Sequence, residues 1–168
     1  MTLAVPEPNT WREILLALDQ NAEKVPLQGR KIAVQEHGVP SPELYAGLRE
    51  RGADVTPVHV YHWSLPEDTT PLREAISAVT RNEIDVAMFT SSVQIIHLFQ
   101  IAEEMKLRED LVGALNRTVI ASIGPVTSET LREQGVNVDL EPTHPKMGFL
   151  VKEAAERSEG LRHRKESS

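Results

Sequence analysis

The sequence predicts an α/β protein built on a doubly wound parallel sheet with helices on both faces. Three observations predict it. Short apolar runs alternate with helically periodic segments along most of the 168 residues. The runs are short and mainly apolar, a pattern that fits strands covered on both faces. The segments between them are long enough for the right-handed crossovers that parallel strands require.

The elements follow in order. Thr10 to Asn21 is a helix, with Trp11, Ile14, Leu15 and Leu18 on one stripe and Asn9 or Thr10 as its cap. Pro26 and Gly29 break the chain, and Lys31 to Glu36 is a strand. Gly38, Pro40 and Pro42 make a turn into a helix over Pro42 to Arg51, stopped by Gly52. Asp54 to Tyr61, rich in valine, is a strand with Pro57 as an irregularity. A linker from His62 to Asp68 leads to a helix over Thr70 to Arg81 and a strand over Asp85 to Thr90. A helix follows Ser91-Ser92, and another covers Leu107 to Leu115. Thr118 to Ile123 is a strand, and Gly124-Pro125 opens a helix that Gly135 ends. Val136 to Leu140 is a short strand and Met147 to Glu156 the last helix, leaving a frayed tail from Gly160 to Ser168. This order makes the domain flavodoxin-like, with ligands expected at the carboxyl ends of the strands.

Composition excludes several function classes. With 40% hydrophobic and 26% charged residues the chain is neither a disordered tail nor a membrane protein, and no apolar run approaches the ~20 residues of a span. The segment Met1 to Pro6 lacks a secretory pattern, and cysteine is absent, so a cytoplasmic address is expected. Eighteen Lys and Arg against 25 Asp and Glu give a net charge of −7, which argues against a nucleic-acid partner. Aromatic content of 4% argues against a base-stacking platform.

Common catalytic and nucleotide motifs are missing: no GxGxxG, no GxxxxGK[ST] and no GxSxG. A phosphorelay receiver needs acidic residues where this chain has Gln35-Glu36-His37 and Thr90-Ser91. The six histidines, at 37, 59, 62, 97, 144 and 163, have no metal-ligand spacing, so no metal is expected. By alternation His59 and Tyr61 share a strand face. Two polar loops remain, Thr90-Ser91-Ser92 and Gly124-Pro125-Val126-Thr127-Ser128. Each either simply caps its helix or joins the other in a rim of N–H donors and hydroxyls suited to carboxylates or phosphates.

In order and spacing, Gln35-Glu36-His37-Gly38, the strand Val58-His59-Val60-Tyr61, Phe89-Thr90-Ser91 and Ile123-Gly124-Pro125-Val126-Thr127 resemble the uroporphyrinogen-III synthase family. The closing segment from Leu140 to Ala155 resembles the family's last strand, turn and helix, so the match spans Val5 to Glu156. The resemblance implies a cofactor-free hydro-lyase with two flavodoxin-like domains joined by crossing strands. It would cyclise the linear polycarboxylate hydroxymethylbilane to uroporphyrinogen III, inverting ring D and losing water. It implies catalytic roles for Tyr61 and Thr127. Gln35, Glu36, His37, Thr90, Ser91, Ser92, Gly124, Pro125, Val126 and Ser128 are the implied substrate-binding residues. Val126 stands where the family has a threonine. Tyr61, a phenol protonated at neutral pH, either donates the proton that releases hydroxide or only packs at its strand end.

Family members are longer, so the chain is expected to begin at the last helix before the closing half of the second domain. Residues 1–28 would be a remnant helix and linker, 29–62 a strand-helix-strand unit, 63–158 the alternating remainder and 159–168 a flexible tail. Glu7-Pro8-Asn9-Thr10 and Glu141-Pro142-Thr143-His144, each before a helix, fit that alignment. The two pieces would close within one chain or exchange between two as a swapped homodimer. A non-catalytic binding or regulatory module on the same fold is the competing expectation.

Overall fold

The computed structural model describes residues 2–36 and 38–166. It divides into two compact units, Met1–Ser64 and Leu65–Ser168, and each carries a two-stranded parallel sheet of its own. His37, a predicted substrate contact, lies outside the described residues.

In the first unit, α1 (Trp11–Gln20) starts at a capping box. Thr10 N–H donates to Glu13 Oε2 at 2.8 Å, and Arg12 N–H donates to Thr10 Oγ1 at 3.2 Å. The strand β1 (Lys31–Gln35), helix α2 (Pro42–Glu50) and strand β2 (Asp54–Val58) complete it. The strands pair in parallel from Lys31 opposite Asp54 to Gln35 opposite Val58. Leu15 of α1 packs with Leu44, Tyr45, Leu48, Ala53 and Val55. Gly47 makes that approach possible, because a Cβ there would lie 2.3 Å from Leu15 Cδ1. The close contact offsets the roughly 1 kcal/mol that glycine costs inside a helix.

Two expectations differ here. The segment expected as an apolar run alternates in β1: Lys31, Ala33 and Gln35 are exposed while Ile32 and Val34 are half-buried. Predicted to reach Tyr61, β2 ends at Val58, whose carbonyl takes the last ladder bond, from Glu36 N–H at 3.0 Å. A strand persists only while a neighbour pairs with it.

The second unit runs α3 (Thr70–Thr80), β3 (Val86–Phe89), α4 (Ser92–Glu104), α5 (Arg108–Arg117), β4 (Val119–Ser122), α6 (Pro125–Glu133) and α7 (Met147–Glu166). Strands β3 and β4 are parallel, from Val86 opposite Val119 to Phe89 opposite Ser122. Here coverage is double, and all four β4 residues are buried. Ile120 belongs to a core with Ile76, Ile95, Phe99, Leu111 and Leu131, while Val119 and Ala121 pack with Leu140, Leu150 and Ala154. Burying a leucine as completely as Leu150 contributes about 2 kcal/mol.

The predicted strand Val136–Leu140 shrinks to one parallel bridge, Leu140 to Ala121. Side chains supply other bonds of the segment: Asp139 Oδ2 accepts from Ile120 N–H at 2.7 Å and Asn116 Oδ1, on α5, from Asn137 N–H at 2.8 Å. Among the described residues the tail does not fray as expected, because α7 continues to Glu166. Leu161 is buried on its inner face, and Lys165 Nζ donates to Thr118 O at 2.7 Å while pairing with Asp139 at 2.7 Å. No helix among the described residues is long and apolar enough to cross a membrane.

Candidate functional site: two polar edges

At the carboxyl edge of the second unit's sheet, β3 leads into α4 and β4 into α6. Ser91 caps α4, its hydroxyl accepting from Val93 N–H at 3.1 Å, and Thr90 N–H donates to Gln94 Oε1 at 2.9 Å. Gly124 caps α6 with extended backbone, and Pro125 at its first position has no N–H to satisfy. Ser122 Oγ donates to Gly124 O at 3.1 Å, fixing the turn. A hydroxyl chain then joins the two helix starts. Thr130 Oγ1 lies 3.0 Å from Ser92 Oγ and 3.0 Å from Val126 O, and Ser92 Oγ lies 3.4 Å from Val126 O. The start of α7 belongs to the same edge, since a Cβ on Gly124 would lie 3.6 Å from Pro145 Cβ.

Three helix amino termini therefore gather at one edge. Intrahelical bonding leaves the first-turn N–H groups of each helix without helical acceptors, and the dipoles add positive potential. Of the residues predicted here, Ser91 and Thr90 are committed to local bonds. Val126 is 42% exposed, whereas Thr127 and Ser128 are buried. Ser128 Oγ has no hydrogen-bond partner among the described residues.

At the carboxyl edge of the first unit's sheet, Glu36 is buried. Its Oε1 accepts from the Tyr45 hydroxyl at 2.5 Å, and its other oxygen faces His59 Nδ1. Burial of Tyr45, followed by its bond to Glu36, raises the phenol above its ordinary range and keeps it a donor. Tyr61 is exposed beyond β2 and stands edge-on to Trp63, with ring centroids 5.8 Å apart. Gly38, at φ +77, turns against both rings. A Cβ there would lie 2.3 Å from Trp63 Nε1 and 2.8 Å from Tyr61 Cε2. No group of three or more His, Asp or Glu among the described residues is placed to hold a metal ion.

Residues 2–152 match the sequence profile described as uroporphyrinogen-III synthase HemD. The chain belongs to the uroporphyrinogen-III synthase family. It is 31% identical over 153 residues to the uncharacterised Bacillus subtilis (strain 168) protein YjjA, covering 90% of this chain and 55% of that protein. A Methanothermobacter thermautotrophicus protein provisionally assigned as a uroporphyrinogen-III synthase is 34% identical over 132 residues, 79% of this chain and 50% of its own length. Crystal structures of Thermus thermophilus uroporphyrinogen III synthase superpose with TM-scores of 0.54 (native, 31% identity) and 0.60 (a methionine-substituted mutant, 29% identity). Each covers 90% of this chain and 55% of the other. The chain thus spans about half the length of the relatives it matches, and the flavodoxin-like description of parallel strands and helices agrees with those structures.

Within this family member the structure brings together Thr90, Ser91, Ser92, Gly124, Pro125, Val126, Thr127 and Ser128 on one edge of the second unit. Gln35, Glu36 and Tyr61 belong to the first unit. Sequence reasoning missed Tyr45, His59 as the partner of Glu36, and Thr130. The only available signals were a polar group on the inward face of α2 and a threonine one helical turn after Val126. It also left the start of α7 out of the site, where Thr143 N–H and Oγ1 bond Glu153 Oε1 at 2.9 and 2.6 Å.

Proposed function

We propose that this chain performs the uroporphyrinogen-III synthase reaction, cyclising hydroxymethylbilane to uroporphyrinogen III with inversion of ring D and loss of water. Family membership supports the reaction class. The observation that carries the reading is the gathering of three helix amino termini, α4, α6 and α7, on the carboxyl edge of the second unit. Such an edge suits the acidic side arms of a linear tetrapyrrole without many cations, in keeping with a net charge of −7.

In this reading Tyr61 donates a proton to the departing hydroxyl of the terminal hydroxymethyl group, which leaves as water to give an azafulvenium cation, and the phenolate recovers a proton from ring D when the macrocycle closes. Ring D attacks through its substituted carbon, and the spiro product fragments and recloses with that ring inverted. The protein's main contribution is orientation, since unassisted closure is head-to-tail. The loop amides hold the side arms, and Thr127 beside them keeps the catalytic role its family position implies. The reading includes a swapped homodimer, in line with a chain that spans about half the length of its relatives.

The test is incubation of the full chain with hydroxymethylbilane followed by separation of the type I and type III isomers. Type III above the unassisted background is expected, and type I alone overturns the reading. A second reading, ligand capture without ring closure, draws on the coverage of about half of each relative. It predicts retention of the tetrapyrrole with an unchanged isomer ratio.

A further inference from the structure

We propose that His59 contacts a carboxylate of the tetrapyrrole, held in place by Glu36 and Tyr45 as positioning residues; the inference rests on the reaction proposed above. It begins with Glu36. Its backbone N–H bonds Val58 O at 3.0 Å, which sets its side chain beside the residue after β2. The Glu36 side chain is only 4% exposed, so a carboxylate there needs donors to offset lost hydration. It has two, the Tyr45 hydroxyl on Oε1 and the His59 ring on Oε2.

That arrangement inverts the role expected of Glu36. Its oxygens are occupied from within the unit, and an anion would repel the side arms of a polycarboxylate. What it offers solvent is its partner. The His59 side chain is 70% exposed. With Nδ1–H committed to Glu36, the ring orientation is fixed and Nε2 is the outward atom, as when a carboxylate orients a working imidazole. In the imidazolium form Nε2–H donates a charge-assisted bond to an incoming carboxylate. The buried Glu36 then balances that charge from behind.

The sequence around it sharpens the assignment. Between Arg51 and Arg73 there is no lysine or arginine, so His59 and His62 are the only basic side chains of that stretch. Of the two, His59 is the one paired with the buried carboxylate. Tyr61, the proposed proton donor, follows two residues later, so the same strand exit supplies both contacts.

The experiment measures binding of uroporphyrinogen III, kept reduced under nitrogen, to the full chain by equilibrium dialysis at several salt concentrations. His59→Ala and His59→Gln are expected to weaken binding about tenfold or more and to flatten its salt dependence. Glu36→Gln and Tyr45→Phe, confirmed as folded by circular dichroism, are expected to weaken it less, through lost orientation. If wild type binds and both His59 variants bind equally well, or keep the full salt dependence, the inference is overturned and the proposed function stands. Positioning roles are overturned if Glu36→Gln and Tyr45→Phe bind as wild type does. A wild-type chain that does not bind overturns the proposed function, and the inference with it.

Discussion

Tyr45 couples the stability of the first unit to alkaline pH. Burial and the Glu36 bond raise its pKa in the folded state, so its contribution is complete below the unfolded tyrosine value near 10 and is lost as pH rises through the folded value. Chemical denaturation at stepped pH should show stability falling above about pH 10. Tyr45→Phe should remove that fall while costing stability at neutral pH, because Glu36 loses a donor. Tyr61→Phe removes the proposed proton donor and is expected to lower type III formation at least about tenfold with little change in stability, the side chain being exposed. Unchanged turnover would take Tyr61 out of the mechanism. Ser128→Ala deletes a buried hydroxyl that has no partner among the described residues, and thermal unfolding should register a change within about 1 kcal/mol. The same variant's affinity for uroporphyrinogen III tells whether that hydroxyl serves the ligand.

At the scale of the element, α1 and α7 depend on single side chains. The Thr10 hydroxyl holds the Glu13 carboxyl below its ordinary range, so this contribution is present above the unfolded value and lost as pH falls through the folded one. Thr10→Ala should cost about 1 kcal/mol at neutral pH and flatten the acid limb of a stability curve. Leu161→Ala should cost about 2 kcal/mol by opening a cavity under the last turns of α7, read as a lowered denaturation midpoint. The same helix marks where legibility ended. Its start is evident from apolar spacing, but Arg162, His163, Arg164 and Lys165 after Gly160 suggest a solvated tail, because nothing local reveals that Lys165 reaches the carbonyl of Thr118. Val136–Leu140 misled in the opposite way: its valines have strand propensity, yet Asp139 spends its side chain on the Ile120 amide. Turn chemistry, by contrast, was legible, and Thr10, Pro42, Gly52 and Pro125 each stand at the helix boundary their backbone preferences predict. The candidate site was legible as loops and not as bonds. Ser91 and Gly124 could be placed from sequence, whereas the Tyr45–Glu36–His59 set joins residues whose pairing only the parallel register creates.

At the scale of the molecule, each unit holds its own core, one around Leu15 and Leu48, the other around Ile120 and its two faces. The homodimer reading predicts twice the chain mass by light scattering at micromolar concentration, and a monomer at every concentration overturns it. The division between the units has an optical consequence. The chain has two tryptophans, Trp11 and Trp63, and both fall in the first unit. Indole emission therefore originates in residues of the first unit, while far-ultraviolet dichroism is dominated by the helices α3 to α7 of the second unit. Recorded on one sample, the two signals let the melting of each half be timed separately without any label being introduced.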